Sequence, residues 1–228
     1  MRWPLDERTA QAADAYPLLK DATVPSPQFQ GRNASKRIWD SRVVQPSTWG
    51  TGSILSSPEA IIDQFKGGHY TQGLALVVSW GLMWRQPASI YGDRQSKTIE
   101  HIERTLRECA EQISKSQSIA DSWQMLTGLQ DGGLRWSAVM ASKTLHFLCR
   151  ALGFQQDPPV PIDTAWIRKR VWPAFCSPIP FQQRPDNWEG NTFEAYCRYM
   201  TAIRTWAGQK QWTTTQVEAT LMNVFEGG

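Results

Sequence analysis

Apolar residues recur along this chain with a helical period, and no convincing run of alternating positions marks a strand. Ile99, Ile102, Leu106, Ala110 and Ile113 follow one another at spacings of 3, 4, 4 and 3 with charges between them, which places them on one helix face. Phe193, Tyr196, Met200, Ile203 and Ala207 form a second stripe, in a helix opened by Asn191 and Glu194. Tyr70 to Arg85 is apolar on nearly every face and reads as a buried helix, with Gly73 and Gly81 permitting close approach of neighbouring backbone. Ser57-Pro58-Glu59 starts a short helix that runs to Phe65 and stops at Gly67-Gly68. Ser118 to Leu126 forms another, ended by Gly128; a turn at Asp131-Gly132-Gly133 leads to a further helix over Ala141 to Ala151. Thr215-Gln216-Val217-Glu218 fits a capping box for the last helix, with Val217, Leu221 and Val224 inward. Leu5 to Leu19 reads as a first helix limited by Pro17. Lys20 to Ser57 carries Pro25, Pro27, Pro46, Arg32, Lys36, Arg37 and Arg42, and reads as an irregular arm. The expectation is an all-α protein of one domain, 1–228. Within it, 1–57 supplies the first helix and the arm, 118–172 a central hairpin and loop, and 191–226 C-terminal helices packing back on the core.

Composition changes this picture in a few places. The 228 residues are 41% hydrophobic, enough to bury a core. Twelve tryptophans supply much of it, with a few left as stacking surfaces. The formal net charge of +3 says little about partners, but its distribution says more. Between Asp131 and Trp172 stand six Lys and Arg (Arg135, Lys143, Arg150, Arg168, Lys169, Arg170) against three Asp, a basic patch suited to phosphate. A solvated charged face is the plainer account of the same residues. Cys109, Cys149, Cys176 and Cys197 form no CxxC pair, and His69, His101 and His146 are scattered. This spacing argues against a zinc or iron–sulfur site and against a zinc deaminase, so no metal and no cofactor are expected. Free buried thiols suit a reducing compartment. Met1-Arg2-Trp3-Pro4 leads straight into charged residues without a secretory signal, and no apolar run is long enough to span a membrane. A cytoplasmic monomer is expected, in which Asn33-Ala34-Ser35 matches the glycosylation triplet by chance.

Candidate chemistry gathers in Trp136 to Trp172. Lys143 is expected in the first turn of its helix, where helix dipole and burial both work against the ammonium and toward the free amine that a nucleophile needs. The same helix start offers free N–H groups to a phosphate, with Ser142 and Arg135 nearby. Pro158-Pro159-Val160-Pro161 is stiff and extended, a brace that delivers Asp163 to a fixed place at the head of a helix over Thr164 to Val171. Taken singly, Lys143 reads first as an exposed helix lysine and Asp163 first as a simple N-cap.

Together, Ser142-Lys143 and, twenty residues after the lysine, Val160-Pro161-Ile162-Asp163 resemble the helix-hairpin-helix base-excision DNA glycosylases, with the 8-oxoguanine glycosylase fold. Thr164-Ala165-Trp166-Ile167-Arg168 follows as in that family. The likeness covers about forty residues well and the helical layout loosely. It implies that Lys143 attacks C1′ of a flipped-out nucleotide to form a Schiff base, a chemistry that can also nick the strand as an AP lyase. It implies that Asp163 stabilises the positive charge on the sugar and orients the amine. Phe147, Tyr196 and Tyr199 would wall the base pocket, Tyr199 by stacking, with Trp80, Trp84, Trp136 or Trp188 enlarging it. Arg135, Ser142, Arg168, Lys169 and Arg170 would meet double-stranded DNA.

The chain departs from the family at Val139-Met140-Ala141-Ser142, where the hairpin usually carries Gly-x-Gly, and near Ala195, where the purine-reading glutamine would align. ASKTLHFL and VPIDTAWI look more like a compact bacterial branch that includes anti-phage glycosylases. That likeness points to a hypermodified phage base such as glucosylated hydroxymethylcytosine as the target. Oxidised-purine repair is the alternative within the family. Outside enzymes, the same residues suit a non-catalytic hairpin DNA-binding module or a plain helical interaction protein.

Overall fold

The computed structural model describes residues 32–35, 53–80, 99–129, 132–154, 157–162 and 193–226. The expected first helix, Trp84, the helix after Asp163, and Asp163, Arg168, Lys169, Arg170, Cys176 and Trp188 themselves lie outside them. The described part is predominantly helical. Its elements are β1 (Arg32–Ser35), β2 (Ser53–Ser56), α1 (Pro58–Lys66), α2 (Tyr70–Trp80), α3 (Ile99–Ser116), α4 (Ala120–Thr127), α5 (Ala138–Ala151), α6 (Phe193–Lys210) and α7 (Thr214–Glu226).

The two strands correct the expectation of an irregular arm. β1 and β2 pair antiparallel, Arg32 opposite Ser56 and Ser35 opposite Ser53. Arg-Asn-Ala-Ser and Ser-Ile-Leu-Ser lack the alternation that marks a half-buried strand, because this ladder is a matter of backbone hydrogen bonds. A two-stranded ribbon is marginal by itself. Here the Ser56 hydroxyl donates to the Leu76 carbonyl at 2.6 Å, tying β2 to α2.

The helices follow from their caps and stripes. Ser57 caps α1 by accepting the Ala60 N–H at 3.2 Å, with Pro58 in the first helical position, and Ile61, Ile62 and Phe65 turn inward. On α2, Leu74 to Val78 are all buried, as an all-round apolar helix requires. Gly73 has a specific reason to be glycine. The Phe65 ring lies against it, and a Cβ there would stand 2.6 Å from two ring carbons. Along α3 the buried face is Ile102, Thr105, Leu106, Cys109, Ala110 and Ile113.

α1 packs on α2 and α5, α3 on α4, and α4 on α5 and α6, so that α4 and α5 sit at the centre. Trp123 of α4 stacks on Tyr196 of α6 at 4.5 Å between ring centroids, linking the C-terminal helices to the rest of the core. α7 opens with a reciprocal capping box, two residues earlier than the sequence pattern suggests. Thr213 Oγ1 accepts the Gln216 N–H at 3.2 Å, and Gln216 Oε1 accepts the Thr213 N–H at 2.8 Å. No described helix is long and apolar enough to cross a membrane.

Candidate functional site

The helix that carries Lys143 begins three residues earlier than expected. Ser137 has extended backbone angles and its hydroxyl accepts the Met140 N–H at 3.3 Å, so α5 starts at Ala138. No glycine interrupts Ala138 to Ser142, and the whole segment is helical. Two consequences follow. Lys143 lies in the second turn of α5, beyond the orphan N–H groups of the first. The Met140 and Ala141 N–H groups are already bonded to Ser137, leaving fewer free N–H groups at the start of this helix.

Gly128 ends α4 in the left-handed region, with its N–H and that of Leu129 on the Gln124 carbonyl. The chain then returns alongside, Leu134 N–H to Met125 O at 2.9 Å and Trp136 N–H to Leu126 O at 2.8 Å. A Cβ on Gly128 would meet Arg135, at 2.5 Å from its Cγ and 3.0 Å from its backbone. Arg135 itself is exposed, with φ of 55°, and Leu129 is 67% exposed. His101 Nε2 donates to the Gly132 carbonyl at 2.9 Å and its Nδ1 accepts from Arg104 at 3.0 Å, anchoring the turn to α3.

The centre of the site is the segment Pro158 to Ile162, buried throughout. Buried irregular backbone is costly because its polar groups lose water. Three prolines reduce the demand: with Pro158, Pro159 and Pro161 lacking N–H groups, only Val160 and Ile162 carry donors. Side chains from three helices then supply the partners. From α5, Ser142 Oγ accepts the Ile162 N–H at 2.9 Å while donating to the Val139 carbonyl at 3.0 Å. Also from α5, His146 Nδ1 lies 2.8 Å from the Pro159 carbonyl. A carbonyl only accepts, so Nδ1 carries the proton. From α6, the Tyr196 hydroxyl donates to the Val160 carbonyl at 2.7 Å, and Met200 Sδ lies 3.2 Å from the Val160 nitrogen. From α7, Thr214 Oγ1 donates to the Pro158 carbonyl at 3.3 Å. The loop is clamped by side chains.

Burial and the neighbouring Arg150 charge push His146 down to about 3, against a weaker opposing effect of its bond to Pro159. It is a neutral hydrogen-bond donor at any ordinary pH. Burial likewise drives Tyr196 and Tyr199 well above the usual tyrosine range. Neither is a source of a phenolate.

Lys143 is only 4% exposed, which sets aside the solvated-lysine account. Its Nζ lies 5.9 Å from the centroid of the Trp80 ring, within reach of a cation–π contact. Trp80 is half-buried and meets Phe147 edge-on at 5.1 Å. Lys143, Trp80 and Phe147 are therefore brought together. Other candidates are placed elsewhere. Trp136 and Tyr196 are core residues, and the Tyr196 hydroxyl serves the loop. Tyr199 is buried on α6 with no partner for its hydroxyl among the described residues. Ser142 is fully buried and bonded inward, so its hydroxyl does not face a phosphate.

Pattern reading gave no role at this loop to His146, Thr214 or Trp123, and placed Met200 only in an apolar stripe. The available signal was a polar side chain on the inward face of an apolar helix, as with His146 between Leu145 and Phe147. Among the described residues no group of three or more His, Cys, Asp or Glu could hold a metal ion, and Cys109, Cys149 and Cys197 are free and buried. No family model matches the chain, and no curated protein or solved structure matches it significantly.

Proposed function

We propose that this chain is a DNA glycosylase that excises a modified base through Lys143. The observation that carries this reading is the Ser142 bond: a buried lysine stands next to the residue that holds the Ile162 N–H at 2.9 Å, and Asp163 is the next residue in the chain. A lysine withdrawn from solvent and a carboxylate delivered by a fixed loop are what attack on a sugar carbon requires. The Lys143 amine forms a bond to C1′ as the C1′–N bond to the base breaks. The base leaves with that electron pair and takes up the proton that the attacking amine sheds. Opening of the sugar ring then gives the Schiff base, from which water releases the enzyme or strand cleavage follows. Asp163 stabilises positive charge on the sugar.

The half-buried Trp80, already against Lys143 and Phe147, is the stacking surface of the pocket. Arg135 contributes a phosphate contact from the hairpin. A hypermodified base such as glucosylated hydroxymethylcytosine in phage DNA is the proposed target, in a protein of helix-hairpin-helix glycosylase type. Release of base from unmodified, oxidised-guanine and glucosylated hydroxymethylcytosine duplexes tests this. Selective release from the glucosylated duplex is expected. Release from the oxidised duplex alone would transfer the protein to purine repair, and release from none would overturn the enzyme.

A further inference from the structure

We propose that Phe147 is a positioning residue whose buried ring holds the Trp80 ring at the orientation that Lys143 and a stacked base share. The proposal rests on the excision reading and moves Phe147 within it, from pocket wall to support. Phe147 is fully buried and Trp80 is half-buried, so of the two rings only Trp80 offers a surface to a base. They meet at 5.1 Å between centroids with an interplanar angle of 87°. Perpendicular contact is one of the favoured aromatic arrangements, and tilting either ring out of it gives up part of the attraction.

The geometry of α5 brings lysine and phenylalanine to the same tryptophan. Lys143 and Phe147 stand one helical turn apart, so they share a face of α5 and reach one ring of α2. Lys143 Nζ lies 5.9 Å from the Trp80 centroid while Phe147 sets the angle of that ring. Phe147 is itself held. The His146 ring meets it at 4.8 Å and 83°, and His146 is fastened through Nδ1 to the Pro159 carbonyl at 2.8 Å. A run of contacts thus leads from the proline loop through His146 and Phe147 to Trp80 and Lys143. Trp80 ends α2 and is the most exposed of the three rings, so a wholly buried neighbour is well placed to limit its side-chain torsions.

A ring that fills space and a ring that orients its neighbour differ in what the neighbour does once the ring is gone. The full chain is labelled with fluorotryptophan, and the Trp80 fluorine signal is identified by its loss in Trp80→Phe. Phe147→Leu keeps an apolar side chain and removes the ring. Phe147→Met is run beside it, and thermal melts show that the variants measured are folded. The expected result is one sharp Trp80 line in the wild type and a broadened or split line in the Phe147 variants, from a ring with more than one position. Base release is then measured on whichever of the three duplexes the wild type cleaves. Phe147→Leu should lower kcat fivefold or more, because a small misplacement at the reacting centre is costly. In a Trp80→Leu background it should lower kcat by less than twofold further. A single sharp line in the variants, merely moved, or an equal fall in kcat in both backgrounds, would overturn the positioning role and leave base excision standing. No base release by the wild type from any duplex would instead remove excision itself, and the role of Phe147 in it.

Discussion

His146 shows how a side chain with no role in the sequence pattern can act as structure in the fold. Its ring lies between α5 and the proline loop, and its one described hydrogen bond goes to the Pro159 carbonyl. Burial lowers its folded value from 6.5 to about 3. Between those two values the unfolded chain binds a proton that the folded chain does not, so stability falls as the pH falls through this window. His146→Asn keeps an N–H near the Pro159 carbonyl and removes the titration. Denaturant melts at pH values from 7 to 4 should therefore show a flatter pH dependence for the variant, by up to about 1.4 kcal/mol per pH unit. An unchanged slope would mean that the buried ring is not the titrating group. Residue by residue, the burial of Lys143 was the least legible feature in the sequence. A lysine is nearly always solvated, and only the fold shows this one 4% exposed against Trp80. The tyrosines err in the opposite direction: Tyr196 was legible as an inward residue, but the use of its hydroxyl depends on a loop 36 positions away.

The elements were more legible than the contacts between them. Stripes at helical spacing located α3 and α6, and capping residues with glycine stops located α1 and the end of α4, because those signals are local. The start of α5 differs from the sequence reading because Ser137 caps it, and its extended backbone angles and the bond it accepts from Met140 show this only in the fold. β1 and β2 escaped notice because their pairing joins residues 32–35 to 53–56 across a stretch with no alternation on either side. Gly128 offers a direct test of the α4–α5 turn. It combines φ of 78° with a space already occupied by Arg135. Gly128→Ala should lose about 1–3 kcal/mol of stability, read as a lower thermal midpoint. A variant as stable as the wild type would show that the turn can be rebuilt without the left-handed residue.

At the scale of the molecule, α5, α6 and α7 all send side chains to one five-residue segment, and Trp123 stacked on Tyr196 ties that assembly to α4. The C-terminal helices are part of the device that holds the loop ahead of Asp163. Such convergence cannot be read from periodicity, which says that a face is buried but not what it is buried against. The proline run, by contrast, was legible as a brace, since its stiffness is intrinsic to the residues. What the molecule does with the brace turns on whether Lys143 becomes covalently joined to DNA. The direct measurement is borohydride trapping on glucosylated hydroxymethylcytosine, oxidised-guanine and unmodified duplexes, with Lys143→Gln as the control. Wild-type protein should give a stable protein–DNA adduct on a modified duplex, and Lys143→Gln, folded by thermal melt, should give none. Base release by the wild type without any trapped adduct, or an equal adduct from Lys143→Gln, would contradict the assignment of Lys143 as the nucleophile.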